Sequence, residues 1–171
     1  MQASAVEDAQ RDEDTLTDAD LISAYDKGVE ELRVAVAGMT NEQLRSRPVA
    51  GKWSTLEVVC HIADCEQFFA DRMKRTVAME RPLLLGADGF RYPEPLRYQE
   101  HDLQQELDLV AVTRLQTART LRLVAPDAWR RTAVHSETGL VTLRQLLRHA
   151  INHLRHHLRF VAEKRAAMTI P

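Results

Sequence analysis

Apolar residues return every three to four positions along four long stretches of this chain, and that pattern restricts it to helices packed on helices. The first stretch runs from about residue 18 to 38, with Leu21, Ile22, Tyr25, Val29, Leu32, Val36 and Met39 on one face and Thr17 or Asp18 as the cap. A short turn or helix is expected over Asn41 to Leu44, before Pro48 and Gly51 break the chain. The second stretch opens on Ser54-Thr55-Leu56-Glu57, a capping box in which Ser and Glu satisfy each other's free backbone donors. Trp53 before it is placed to pack back on Val58. Val58, Ile62, Cys65, Phe69, Met73 and Val77 then mark a buried stripe that ends near Glu80, ahead of Pro82. The third stretch covers about residues 99 to 124, with Leu103, Leu107, Val110, Leu115, Leu121 and Val124 apolar. The fourth opens on a second capping box, Thr142-Leu143-Arg144-Gln145, and continues to about Ala167. No run reads as a strand, so the expected fold is an all-α four-helix bundle, its topology left open by the long 81–98 connection.

The chain is 171 residues long, 44% hydrophobic and 28% charged, with a formal net charge of -2. Residues 1–15 are polar and acidic and are expected to form a flexible arm, leaving 16–171 as one domain. The balance of charge argues against a nucleic-acid partner, and no apolar stretch approaches the roughly 18 residues of a membrane span. The first residues lack the basic and apolar segments of a secretion signal. Cys60 and Cys65 lie five residues apart on one helix, a rise of about 7.5 Å, too far for a disulfide. A reducing, cytoplasmic setting is expected.

Four of the seven histidines fall within nine residues: His149, His153, His156 and His157. Residues four apart share a helix face, so His149/His153 and His153/His157 can each act as a two-pronged metal clamp. Leu143, Leu147, Ala150, Leu154, Leu158 and Val161 fix the buried side. At roughly 100° per residue, His157 falls inside that side, His153 near its edge, His149 further round and His156 further still. On the second helix His61 stands at the edge of the stripe formed by Val58, Ile62, Cys65, Phe68 and Phe69. Three imidazoles on facing helices suit zinc, nickel, copper or iron, with zinc or nickel the expected ion, and three ligands leave coordination positions open for water or substrate. Cys65, one turn after His61, is a competing ligand or a small core residue, and Asp64 or Glu57 are candidates to orient the His61 ring. Exposed histidines also gather by chance on arginine-rich helices, and Arg148, Arg155 and Arg159 lie here.

These residues resemble the DinB-like superfamily. Gly51-Lys52-Trp53-Ser54, then Glu57 and His61-Ile62-Ala63-Asp64, is similar to its second-helix signature. Thr142 to Leu147, leading to His149 and His153-Leu154-Arg155-His156-His157-Leu158, is similar to its last-helix signature. The resemblance spans about residues 17 to 165. It implies a four-helix bundle whose metal is held by one histidine of the second helix and a His-x-x-x-His pair of the last, here His61, His153 and His157. It also implies a small-molecule substrate, for some relatives a low-molecular-weight thiol, and thiol S-transferase, isomerase or hydrolase activity. The expected function is therefore that of a metal-dependent enzyme, against the alternative of a non-catalytic, stress-related metal-binding or structural protein. A homodimer is expected, since the first and third helices carry more apolar residues than one bundle buries.

Overall fold

The computed structural model describes residues 16–169, so the expected arm over residues 1–15 lies outside the described residues. Four long helices dominate: α1 (Asp18–Val36), α3 (Thr55–Ala78), α4 (Leu103–Leu123) and α5 (Leu143–Ala167), with a short α2 (Asn41–Arg45) after the first. Their starts follow the sequence logic closely. Thr17 caps α1 with Asp20 answering, Ser54 caps α3 with Glu57, and Thr142 caps α5 with Gln145, each a reciprocal box. The third long helix begins later than its apolar pattern suggests. Tyr98–Glu100 is a 3-10 turn, and α4 starts at Leu103 behind an Asp102 cap.

The chain does not walk round the bundle in order. α1 packs against α4 and α5, and α3 packs against the same two. Consecutive long helices α1 and α3 therefore sit across a diagonal, as do α4 and α5. The faces turned inward form two apolar clusters, one built on residues such as Leu21, Tyr25, Phe69 and Leu147, the other on Leu32, Leu56, Ile62 and Leu154. Each fully buried Leu or Ile contributes about 1.5–3 kcal/mol.

One polar device interrupts this core. Arg114 on α4 is 1% exposed and reaches all four long helices. Its Nε donates to Glu66 Oε2 on α3 at 2.8 Å, its Nη1 to the Tyr25 carbonyl on α1 at 2.8 Å, and its Nη2 to the Ala150 carbonyl on α5 at 3.2 Å. The Tyr25 hydroxyl donates to the other Glu66 oxygen. Gly28 makes the reach possible, because a Cβ there would lie 2.2 Å from Arg114 Nη1. The apolar spacing pointed to Leu115 instead, and Leu115 is 66% exposed.

The expectation of no strands is corrected. β1 (Leu83–Leu84), β2 (Thr132–His135) and β3 (Gly139–Thr142) form a three-stranded sheet in that order. β2 and β3 are antiparallel, with His135 opposite Gly139, and β1 lies parallel to β2. The hairpin turns over Ser136, Glu137 and Thr138 into Gly139, whose φ is 77°, the left-handed position that closes a three-residue loop. Strands this short leave too little alternation to stand out beside helical stripes. Their role is positional, for the sheet clasps the 81–98 connection to the start of α5.

Candidate metal centre

α3 and α5 bring the rings of the three predicted residues side by side, but the ligand atoms that lie within 4.8 Å of one another are those of His61, His153 and Cys65, without His157. His61 is 2% exposed and His157 3%, while His153 is half-buried between them. His61 Nε2 and His153 Nε2 stand 3.3 Å apart. The His157 ring lies 4.6 Å from that of His61 and 4.5 Å from that of His153, centroid to centroid. Its Nδ1 is buried and, among the described residues, has no hydrogen-bond partner. A buried nitrogen left without a partner is costly unless something supplies one. An arriving cation would relieve that cost.

The electrostatics prepare the same outcome. Burial, then the neighbouring His157, His61 and His149, push the His153 pKa down to about 2. Burial, then His61 and His156, take His157 to about 3. Burial also lowers His61. At neutral pH these rings are neutral and their lone pairs are available, as metal binding requires.

The ring of His61 is oriented by the 81–98 connection, and neither flanking carboxylate serves. The Gly89 carbonyl accepts a hydrogen bond from the imidazole, and a Cβ on Gly89 would lie 3.2 Å from Nδ1 and 3.1 Å from Cε1. Nε2 of the same ring faces His153. A backbone carbonyl in this place sets the tautomer of a ligating histidine. Asp64 accepts from the Tyr98 hydroxyl instead. Glu57 is fully committed to Arg47 and to its own cap at Ser54. Phe90, next to Gly89, stacks its ring against His61 at 5.4 Å and against Trp53 at 5.4 Å. Trp53 thus packs on the His61 ring as well as on the cluster that holds Val58.

Cys65 is beside the site. Its Sγ lies 3.6 Å from His61 Nε2 and 3.9 Å from Nδ1. One ligand atom each from His61, Cys65 and His153 falls within 4.8 Å of the other two. Burial first, then Asp64 and Glu66, push the thiol up to about 12, so without a metal it stays protonated. The remaining histidines separate as the helical phase indicates. His149 is exposed and rests edge-on against Phe69, and His156 is exposed against Phe160. His101 is held by Glu106 and the Leu96 carbonyl, away from the cavity lining. His149 and His156 nonetheless line the cavity, as does His135, carried there by the hairpin.

The three rings open on a cavity of about 630 Å³, within the range of small-molecule sites. Phe68, Phe69 and Phe90 supply apolar walls, and Arg72, Glu137 and Gln145 bring polar groups to them. Arg72 donates to the Leu85 carbonyl at 2.6 Å, tying α3 to the connection that covers it. Sequence reasoning missed Gly89, Phe90, Arg72 and Glu137 as site residues. The one available signal was the length of the 81–98 connection. No helix of the described residues is long and apolar enough to cross a membrane.

Relatives share this architecture. YfiT from Bacillus subtilis, described as a probable metal-dependent hydrolase with an unusual four-helix bundle topology, superposes with a TM-score of 0.84 at 23% identity over 92% of each chain. A mycothiol-dependent maleylpyruvate isomerase superposes with a TM-score of 0.68 at 13% identity, over 86% of this chain and 61% of that one. In sequence, 26% identity over 127 residues links the chain to OB0782 of Oceanobacillus iheyensis, named as a candidate metal-dependent hydrolase, covering 74% of this chain and 73% of the relative. A DinB superfamily model matches residues 24–161, and this chain belongs to the DinB superfamily.

Proposed function

We propose that the chain binds one divalent ion, zinc or nickel, through His61, His153 and His157, and acts as a metal-dependent enzyme of hydrolase or thiol S-transferase type on a small molecule held in the adjoining cavity. The observation that carries this reading is the meeting of three buried or half-buried neutral imidazoles at the wall of that cavity, two of them with facing nitrogens 3.3 Å apart. When bound, the ion would supply Lewis-acid polarisation of the reacting group. The protein's own part is to fix the ligands, exclude water and orient the substrate. Gly89 holds the His61 ring, the three phenylalanines keep the wall apolar, and Arg72 and Glu137 offer opposite charges to polar ends of a substrate. The names of the hydrolase-like and thiol-dependent relatives agree with a small-molecule substrate, including a low-molecular-weight thiol.

The test begins with metal content after dialysis. We expect about one ion per chain, lost in His61→Ala, His153→Ala and His157→Ala. Unchanged metal in any of the three removes that residue from the ligand set. Loaded protein is then screened with ester and amide substrates, and with thiols against a chloro-arene electrophile. Absence of all turnover would sink the enzymatic half.

A second reading, of a closed structural site in a non-catalytic protein, has Cys65 behind it, since a fourth protein ligand would fill the open position. Cobalt-loaded protein separates the two. A thiolate-to-cobalt charge-transfer band that disappears in Cys65→Ser favours the closed site, and its absence favours the open one. Two free cysteines suit a cytoplasmic location. Val34 on α1, with Leu109, Val112 and Leu115 on the adjacent α4, are exposed and support pairing of two chains through these helices.

A further inference from the structure

Lys164 on α5 is 1% exposed, the burial of a core leucine. Its Nζ donates to the Phe160 carbonyl at 3.0 Å, one turn back on the same helix. Among the described residues no carboxylate lies within ion-pair distance of it. Glu57 is near enough to be felt, but its oxygens are taken by Arg47 and Ser54, and Glu163 is exposed. Burial is the first cause of a lowered pKa at Lys164, with Lys52 adding to it and Glu163 and Glu57 opposing. A buried ammonium without an acid is among the most costly groups a protein can hold, and a second cation close by adds to the cost.

Lys52 supplies that second cation. Both ammonium groups stand 5.8 Å from the centre of the Phe160 ring. Both lysine residues line a cavity of about 340 Å³ walled by Trp53, Phe90 and Phe160. This cavity is separate from the larger one but shares Phe90 and His157 with it. Two cations, three aromatic faces and a metal-site histidine thus border one small space.

We propose that Lys52 and Lys164 form an anion subsite, which takes the carboxylate or phosphate of a small molecule whose apolar body lies among Trp53, Phe90 and Phe160. The direction of the molecule's other end, toward His157, rests on the metal-site reading. The anion subsite itself does not. The unpaired burial of Lys164 is explained by an anion that arrives with the ligand. The aromatic faces explain why a bare ion is a poorer occupant than one carried on a ring or chain.

The experiment is titration calorimetry on the full chain, metal-free and metal-loaded, with benzoate, phenyl phosphate and inorganic phosphate as probes. Saturable binding of benzoate or phenyl phosphate is expected in both forms, tighter than that of inorganic phosphate. Lys164→Met should weaken it at least tenfold and Lys52→Met by less, while Lys27→Met, an exposed charge on α1, should leave it unchanged. Lys164→Met should also raise the melting temperature of the ligand-free chain, because an uncompensated charge has been removed. A lysine with a purely structural role would lower it. Should Lys164→Met fail to fold, Lys52→Met decides, since that side chain is exposed. No binding by the wild-type chain, or binding unchanged in Lys52→Met, overturns the proposal. Metal content in His61→Ala tests the metal reading alone, and benzoate binding by the metal-free chain tests the subsite alone.

Discussion

At the scale of single residues, Arg114 shows how one side chain can fix a whole arrangement. It donates to three other helices from a fourth, so the relative height of all four is set by hydrogen-bond geometry as well as by packing. Replacing it by Met leaves Glu66 buried without its cation. We expect a loss of about 3–5 kcal/mol in urea denaturation. Gly28→Ala makes a sharper test because propensity and packing oppose each other. Alanine in a helix interior is worth about 1 kcal/mol over glycine. The new Cβ, however, would lie 2.2 Å from an Arg114 nitrogen already held by the Tyr25 carbonyl. Packing should win, with a net loss of about 1–3 kcal/mol, and a stabilised Gly28→Ala would refute this account of the network. None of this was legible in the sequence. A charged residue beside an apolar one, as in Arg114-Leu115, reads as the solvated neighbour, and only the meeting of Tyr25, Glu66 and Arg114 across distant segments reverses the assignment. The His153 and His157 positions were legible because helical phase is a local property, read from the leucines around them.

At the scale of elements, α5 concentrates the titratable chemistry. His153 and His157, with pKa values near 2 and 3 against an ordinary 6.5, stay neutral in the fold where the unfolded chain takes up protons. Their contribution is complete above pH 6.5 and is lost as pH falls from there toward 3. Metal-free protein should lose stability steadily as pH falls across that window. Melts between pH 4 and 8 would check this, and a flat profile would show that the rings protonate in place. The 81–98 connection and the hairpin act as a second unit. Gly89→Ala keeps the backbone carbonyl but should press its new Cβ on the His61 ring, at 3.1 Å from Cε1, and weaken metal binding with helical content intact. Binding at wild-type strength would show that the ring tolerates a Cβ at this position. The helices were readable from period and caps. The strands were not, because four residues against two carry too little pattern, and the parallel contact between β1 and β2 joins segments some fifty residues apart.

At the scale of the molecule, the proposed metal ligands come from α3 and α5, so an ion bound there would tie together the two helices that flank the cavity. Chelation should therefore lower the melting temperature of loaded protein, by the mass-action term of a ligand that binds only the folded state. If melting is indifferent to the chelator, the ion lies elsewhere. Sedimentation showing only monomer would remove the pairing expected through α1 and α4.

The diagonal placement of α1 and α3 also decides when the chain can become a protein at all. During synthesis the first two long helices emerge together, yet they are not neighbours, so the first helical hairpin that can close is α3 with α4. α1 must wait for α4 and α5, and His61 must wait for a partner made some ninety residues later. The proposed ion-holding capacity thus arrives only with α5, and a fragment ending before it would lack two of the three proposed ligands.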